Sequence, residues 1–357
     1  MNTGKVKIGL LFILLCIWGF SYPAYAGYEA PDPTYLTPNA RVLALGKAYV
    51  GLGEGTAAIF TNPAGMADAK GWQWTSMSGK LLEEYSYLSF AGFYSTDQGV
   101  FGLGYSGSSI AGAFPTIIDP DSDPDDPVYA IDPSLPQMGY ANKALVLSYA
   151  NRLSERLTWG TNIKLISAAL SGGNIVDGDA SGTQLDVGVK YFPQQKWFTL
   201  GVVWRNLLPQ NLGGQLEYSN HEESYPAVIK LGTAINLIGR NDALYKLAGH
   251  EAQLLLDVDS HPTLSSIPLL WHIGAEWKPI SMLSLRAGFD QDVIGKESGG
   301  VEVVTDLAYG VGVEVNGFCF DYAYRTFTGI PGVGNNYFSL SYQFEPAASS
   351  RPQKGSL

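Results

Sequence analysis

Cysteine is almost missing from this chain. Of 357 residues two are Cys, and Cys16 falls inside an N-terminal apolar run, which leaves Cys319 without a partner for an intrachain disulfide. Leu15 and Ile17 flank Cys16, so the small residues of a lipoprotein signal are missing too. Beyond that run, nothing reaches the roughly 18 apolar residues of a transmembrane helix. Positive charge is scarce: 22 Lys and Arg stand against 33 Asp and Glu, a net charge of −11, which argues against electrostatic binding of nucleic acid. The histidines, His221, His250, His261 and His272, are scattered, with no H-E-x-x-H and no cysteine neighbours, so no metal site is expected. A G-x-S-x-G elbow is missing as well, because Gly104-Tyr105-Ser106-Gly107-Ser108 lacks its last glycine. Neither an enzyme nor a cofactor is expected.

The N-terminus carries Lys5 and Lys7, an apolar run over 8–20 and Ala24-Tyr25-Ala26 before Gly27. This is the layout of a cleaved secretory signal, assigned to 1–26. After about residue 70 the chain becomes roughly fourteen short segments of alternating apolar and polar residues, as a transmembrane β-barrel reads. In one, Trp271, Ile273, Ala275 and Trp277 point one way and His272, Gly274, Glu276 and Lys278 the other. Phe318, Phe320, Tyr322 and Tyr324 likewise oppose Cys319, Asp321, Ala323 and Arg325. Mean hydropathy is near zero, at +0.02, as expected when a polar lumen dilutes an apolar exterior.

The connections alternate in length, short ones falling at 95–98, 152–155, 193–196, 279–281 and 316–317. That matches short periplasmic turns and long outer loops. The eighth connection, 239–250, is longer, and its stretch 241–248 reads as a short helix. Trp72, Trp74, Tyr85, Tyr87, Trp159, Trp197, Trp204, Trp271 and Trp277 read as aromatic girdles at the two membrane interfaces. The last segment, with Phe338, Leu340, Tyr342 and Phe344, looks like a C-terminal strand read by the barrel-assembly machinery. The assignment is an all-β transmembrane antiparallel barrel over 71–344, a small N-terminal helical plug over 27–70 and a disordered tail over 345–357. The outer loop with Asp119, Asp121, Asp123, Asp125 and Asp126 reads as solvated, since Pro124 and Ala130 stand where a calcium loop needs Gly and Glu.

Residues 27–70 are rich in Ala and Gly and show little strand alternation. Thr37-Pro38 reads as the cap and first turn of a helix over 39–45. Asn62 suits a turn that needs its backbone groups satisfied, and Pro63 fixes φ and blocks strand addition to the wall. In this block Ala44, Gly46, Ala48, Val50 and Gly51, then Ala57-Ala58-Ile59-Phe60 and Asn62-Pro63-Ala64-Gly65-Met66-Ala67, resemble the FadL-type outer-membrane transporters of long-chain fatty acids and aromatic hydrocarbons, with their PorV/PorQ-like relatives. The motif likeness covers about 40–67 and the architectural likeness the whole mature chain. Thr61 stands where relatives often carry an aromatic residue.

The resemblance implies a fourteen-stranded outer-membrane barrel closed from inside by a hatch, and passive uptake of a hydrophobic small molecule. Asn62, Pro63, Ala64 and Gly65 are the hatch candidates. Gly102 and Gly104, facing the lumen in Gly99-Val100-Phe101-Gly102-Leu103-Gly104-Tyr105-Ser106-Gly107, would make room for the hatch and for a sideways exit of ligand. Formally that strand contains G-x-G-x-x-G, but no βαβ unit surrounds it. Arg286, Arg325, Asp186 and Glu276 are candidate lumen charges, expected to pair with each other or with the hatch. Expected partners are outer-membrane lipid, lipopolysaccharide and the barrel-assembly machinery. The alternative is a PorV-like component of a protein secretion or surface-attachment system.

Overall fold

The computed structural model describes residues 30–35, 39–81, 85–119, 121–123, 126–173, 175–296, 300–328 and 334–344. The signal sequence and the C-terminal tail lie outside these residues. Among them, fourteen long strands form the wall: β1 (Trp72–Leu81), β2 (Tyr85–Thr96), β3 (Gly99–Ala113), β4 (Met138–Ser154), β5 (Leu157–Ser171), β6 (Asp179–Tyr191) and β7 (Phe198–Arg205). The second half comprises β8 (Val228–Gly239), β9 (Glu251–Ser260), β10 (Leu270–Ile280), β11 (Leu283–Gly295), β12 (Val301–Val315), β13 (Phe318–Thr326) and β14 (Gly334–Phe344). Each pairs antiparallel with its neighbours, and β14 returns to β1 in the register Trp72↔Phe344 to Gly79↔Tyr337. Closure leaves no sheet edge, the condition for a strand structure in lipid.

Burial is inverted relative to a soluble sandwich. In β10 the buried residues are Leu270, His272, Gly274 and Glu276, while Trp271, Ile273 and Trp277 are exposed. Phe320 is 55% and Phe338 60% exposed, yet His272 and Asp290 are wholly buried. The apolar residues therefore form an outer belt suited to hydrocarbon, and the polar ones fill the interior.

Turn chemistry sets the tight end. Asn316 and Gly317, between β12 and β13, have φ of 51° and 82°, the paired left-handed conformation that joins twisted strands with two residues. At the other end the chain adds hairpins, Thr116–Ile118 with Tyr129–Ile131 and Gln215–Tyr218 with Glu222–Ser224. With 17 residues, β4 is longer than the roughly 9–11 needed to cross a bilayer, so it projects beyond it.

Three sequence-based expectations change. The stretch 241–248 is not helical: Tyr245–Lys246 pairs parallel with Ile238–Gly239, next to the register shift at Asn236/Ile238. Leu244 N and Leu247 N donate to Asn236 O and Gly239 O, strand carbonyls that outcompete a short isolated helix. The first plug helix, α1 (Ala40–Ala44), is capped by Asn39, whose side chain accepts from Arg41 N; Thr37 and Pro38 lie outside the described residues. Tyr87 faces the lumen, 2% exposed, with its hydroxyl 3.1 Å from Ser106 Oγ, and Leu88, Phe90 and Tyr94 form the outward row of β2. A tyrosine suits either face, so that strand's parity was hard to assign.

Candidate functional site: the plugged lumen

Residues 30–35 and 39–68 run through the lumen. Apart from short turns they have no repeating structure, so their backbone N–H and C=O groups need partners elsewhere. Inward-facing side chains of the wall supply them. Asp257 Oδ2 accepts from Tyr49 N and Val50 N at 2.7 and 2.8 Å. Thr199 Oγ1 donates to Gly51 O, Asn162 Nδ2 to Ile59 O, and Lys190 Nζ to Leu52 O. Ser339 Oγ accepts from Ala40 N.

The Asn-Pro-Ala-Gly block is the tightest part. Asn62 is wholly buried and caps the 3₁₀ turn Pro63–Asp68: its Oδ1 accepts from Ala64 N at 3.2 Å, while its Nδ2 donates to Val50 O at 3.0 Å and to Val189 O of β6 at 3.2 Å. One amide thereby ties two plug segments to the wall. Pro63 stands at the first position of the turn, where a missing N–H costs nothing. Gly65 lies against Gly53, whose carbonyl oxygen would be 1.9 Å from an added Cβ.

A belt of inward-facing glycines receives this backbone. A Cβ on Gly160 would lie 2.5 Å from Pro63 C, on Gly201 2.2 Å from Val50 O, on Gly232 2.6 Å from Gly51 N and on Gly288 2.1 Å from Gly46 N. Within the ladder Gly160 pairs with Gly188, Gly201 with Gly232 and Gly274 with Gly288, so the recesses lie side by side. Gly102 and Gly104 belong to the same pattern: a Cβ there would lie 3.0 Å from Ile59 Cδ1 and Met66 Sδ, and 2.6 Å from Phe60 Cζ.

Charge divides the lumen. From β14 through β3, and along β4 as far as Ala150, the buried inward side chains are uncharged. Ala91, Phe93, Val100, Ala144 and Val146 form an apolar sector there, joined by Ile166 of the neighbouring β5 and filled by Ile59, Phe60 and Met66 of the plug. From β5 to β13 the wall carries buried Lys164, Asp186, Lys230, Asp259, His272, Glu276, Arg286, Asp290, Asp306 and Arg325. The plug answers with opposite charges: Asp32 meets Lys164 and Arg205 at 3.0 and 3.1 Å, Arg41 meets Glu276 at 2.7 Å, and Lys47 meets Asp290 at 3.2 Å. Asp68 bridges to Arg152 at the β4 end. Burial alone would raise the Asp32 carboxyl, but Lys164 and Arg205 hold it well below the usual carboxylate range.

No family model and no curated relative matches this sequence. Solved structures do. The Pseudomonas putida toluene transporter TodX aligns with a TM-score of 0.58 at 14% identity, over 87% of this chain and 99% of TodX. The Ralstonia pickettii toluene transporter TbuX gives 0.55 at 13% identity over 86% and 98%, and the monoaromatic hydrocarbon channel CymD 0.55 at 10% over 87% and 98%. The chain shares the barrel fold of these channels.

In this barrel the four candidate lumen charges are all engaged. Arg286 donates to Glu276 at 2.5 Å and to Asp321 at 2.6 Å. Arg325 meets Asp306 at 2.9 Å and also Asp290. Asp186 lies 2.9 Å from Lys164 and accepts from Asn206 N. That last contact marks the place where β7 hands its pairing with β6 to the outer hairpin. β6 and β7 pair over Val187–Tyr191 with Trp204–Leu200; beyond it Leu207 N bonds Leu185 O, the Gln184 side chain bonds Leu208 N, Leu208 O and Gly214 O, and Leu216–Tyr218 of the outer hairpin pairs antiparallel with Gly182–Ala180. Beside Gly102 and Gly104, by contrast, β3 pairs without a break to β2 and to β4 from Val100 to Ser109, and its register shift falls at Ala111/Ala113.

Sequence reasoning passed over Asp32, Arg41 and Lys47, because plug residues follow no period that assigns them a face. It also missed Asp259, Asp290 and His272 as one cluster. Their inward parity was readable, and the alignment of β9, β10 and β11 that brings them together came only with the register.

Proposed function

We propose that this protein is an integral outer-membrane barrel for passive uptake of neutral hydrophobic small molecules past its N-terminal plug. The observation that carries the reading is the division of the lumen. Its charged sector grips the plug, and its uncharged sector holds apolar plug side chains where an apolar ligand would find the same environment. TodX, TbuX and CymD, described as toluene transporters and a monoaromatic hydrocarbon channel, share the fold, which supports a hydrocarbon-class ligand. Arg286 and Arg325 are neutralised by carboxylates, which favours an uncharged ligand over a fatty-acid carboxylate. Ligand enters from the outer loops, displaces Ile59, Phe60 and Met66, and leaves after the plug shifts. With no energy source in the chain, consumption downstream sets the direction.

The test is displacement of an environment-sensitive apolar fluorophore from the barrel in lipid nanodiscs, with p-xylene and a long-chain fatty acid as competitors. Saturable displacement by p-xylene, altered when Arg41→Ala loosens the plug, supports the proposal. Displacement by the fatty acid alone changes the ligand class. No displacement by either overturns uptake and returns the role to secretion or surface attachment.

A further inference from the structure

At the outer end of the apolar sector two buried polar atoms have no hydrogen-bond partner within 3.5 Å among the described residues: the Tyr225 hydroxyl and Asn142 Oδ1, the latter on a side chain that also faces the Tyr140 hydroxyl. Their residues are 5% and 3% exposed. Tyr225 belongs to the apolar cluster with Ile166, Ala168, Ala180, Leu216 and Ala30. The N-terminal strap brings both residues to the same place, because Ala30 N donates to Ser224 O, beside Tyr225, and Asn142 Nδ2 donates to Pro31 O at 2.8 Å. The Pro31 carbonyl also fixes which way the amide points, since a flipped Asn142 would set two oxygens against each other. Tyr140 and Tyr218, both half-buried, stand nearby and link the spot to the outer hairpin.

Unpaired polar atoms in such a setting are destabilising, and buried groups without partners are uncommon in folded proteins. Here one is a donor and acceptor and the other an acceptor only. A single hydroxyl placed between them would satisfy both, its oxygen accepting from Tyr225 and its proton going to Asn142 Oδ1. Burial in apolar surroundings pushes the Tyr225 phenol well up, with Asp32 and Tyr140 adding to it, so it stays a neutral donor at any physiological pH. A carboxylate fits poorly, because it could offer Asn142 no proton.

We infer that this pair is a subsite for the hydroxyl group of a neutral hydrophobe, a phenol or alcohol in place of a plain hydrocarbon. The inference rests on the uptake reading and narrows its ligand class.

p-Cresol and p-xylene differ by a hydroxyl in place of a methyl and have nearly the same shape. Their dissociation constants are measured on the nanodisc-embedded full chain by fluorophore displacement, for wild type, Tyr225→Phe and, as control, Tyr337→Phe, a buried tyrosine in another cluster. Comparing the cresol-to-xylene ratio between proteins cancels the difference in aqueous solvation of the probes. The ratio should shift toward xylene by roughly ten-fold in Tyr225→Phe, the worth of one hydrogen bond, and should not move in Tyr337→Phe. A ratio unchanged by Tyr225→Phe, with both probes bound, overturns the inference and leaves uptake standing; it is also the result if a water occupies the spot. Binding of neither probe overturns both. Tyr225→Phe removes an unpartnered hydroxyl from the interior, so it should fold, as heat-modifiable gel migration will report.

Discussion

Arg41 of the plug holds Glu276 of β10 by two parallel hydrogen bonds, Nε to Oε2 at 2.8 Å and Nη2 to Oε1 at 2.7 Å. Fork geometry of this kind fixes orientation as well as distance. Glu276 is also the acceptor for Arg286 and Gln253, so the pair is the point where the plug joins the wall's own charge network. Arg41→Ala leaves that buried carboxylate one cation short, a loss of about 3–5 kcal/mol for breaking a buried pair. Faster amide exchange over 39–54 is expected, with strand protection unchanged. Equal exchange in both proteins would show that the glycine belt alone holds the plug.

The glycine belt makes a separate prediction. Gly288→Ala places a methyl 2.1 Å from Gly46 N, where backbone must move, and overpacking of this sort costs about 1–3 kcal/mol. Gly295, on the same strand β11, has nothing within 4 Å, so Gly295→Ala should stay within about 0.5 kcal/mol of wild type. Urea midpoints of the folded barrel in detergent distinguish the two. Equal midpoints would mean that the plug does not rest against the wall as described.

Asn62→Ala removes a cap worth about 1 kcal/mol and strips Val50 O and Val189 O of a donor, adding about 1–3 kcal/mol if water cannot reach them. Plug cleavage by added protease should rise while the barrel stays intact. Asn62→Asp keeps the cap but turns a buried carboxylate oxygen onto the Val50 and Val189 carbonyls, so it should release the plug at least as far as Asn62→Ala does.

The wall was legible because a barrel strand declares both faces in its own sequence: Trp271 and Ile273 out, His272 and Gly274 in, with register then following from closure. Tyr87 shows the limit, since neither environment excludes a tyrosine. The plug was legible as composition and as the Asn62 to Gly65 block, but not in its contacts. Its shape comes from recesses at Gly160, Gly201, Gly232 and Gly288, which lie far apart in sequence and look like ordinary strand glycines one at a time. The helix expected over 241–248 failed for a related reason. Local propensity is weak against the free carbonyls of an adjacent strand.

Asp32 supplies the pH dependence. Its carboxyl is held below its ordinary range on folding, so its contribution is complete above the unfolded value, near pH 4, and fades as pH falls through the lower folded value. Asp32→Asn should therefore lower the urea midpoint at pH 7 and pH 5 alike, by an amount on the order of a buried pair. The gap from wild type should narrow only in strong acid. A gap that already closes between pH 7 and pH 5 would assign the effect to another group.

Phe60 tests the route itself. Its ring fills the space over Gly104 in the uncharged sector and is 4% exposed. Phe60→Ala should cost about 3–5 kcal/mol, because the rigid wall cannot collapse into the void. An apolar void of that size stays dry and takes a small aromatic guest. The expected result is a barrel whose lost thermal stability is restored by saturating p-xylene to a greater degree than wild type is stabilised, since a ligand that binds only the folded form adds stability in proportion to its occupancy. If p-xylene shifts wild type and Phe60→Ala equally, the apolar sector is packing alone, and hydrocarbons do not pass by way of Phe60.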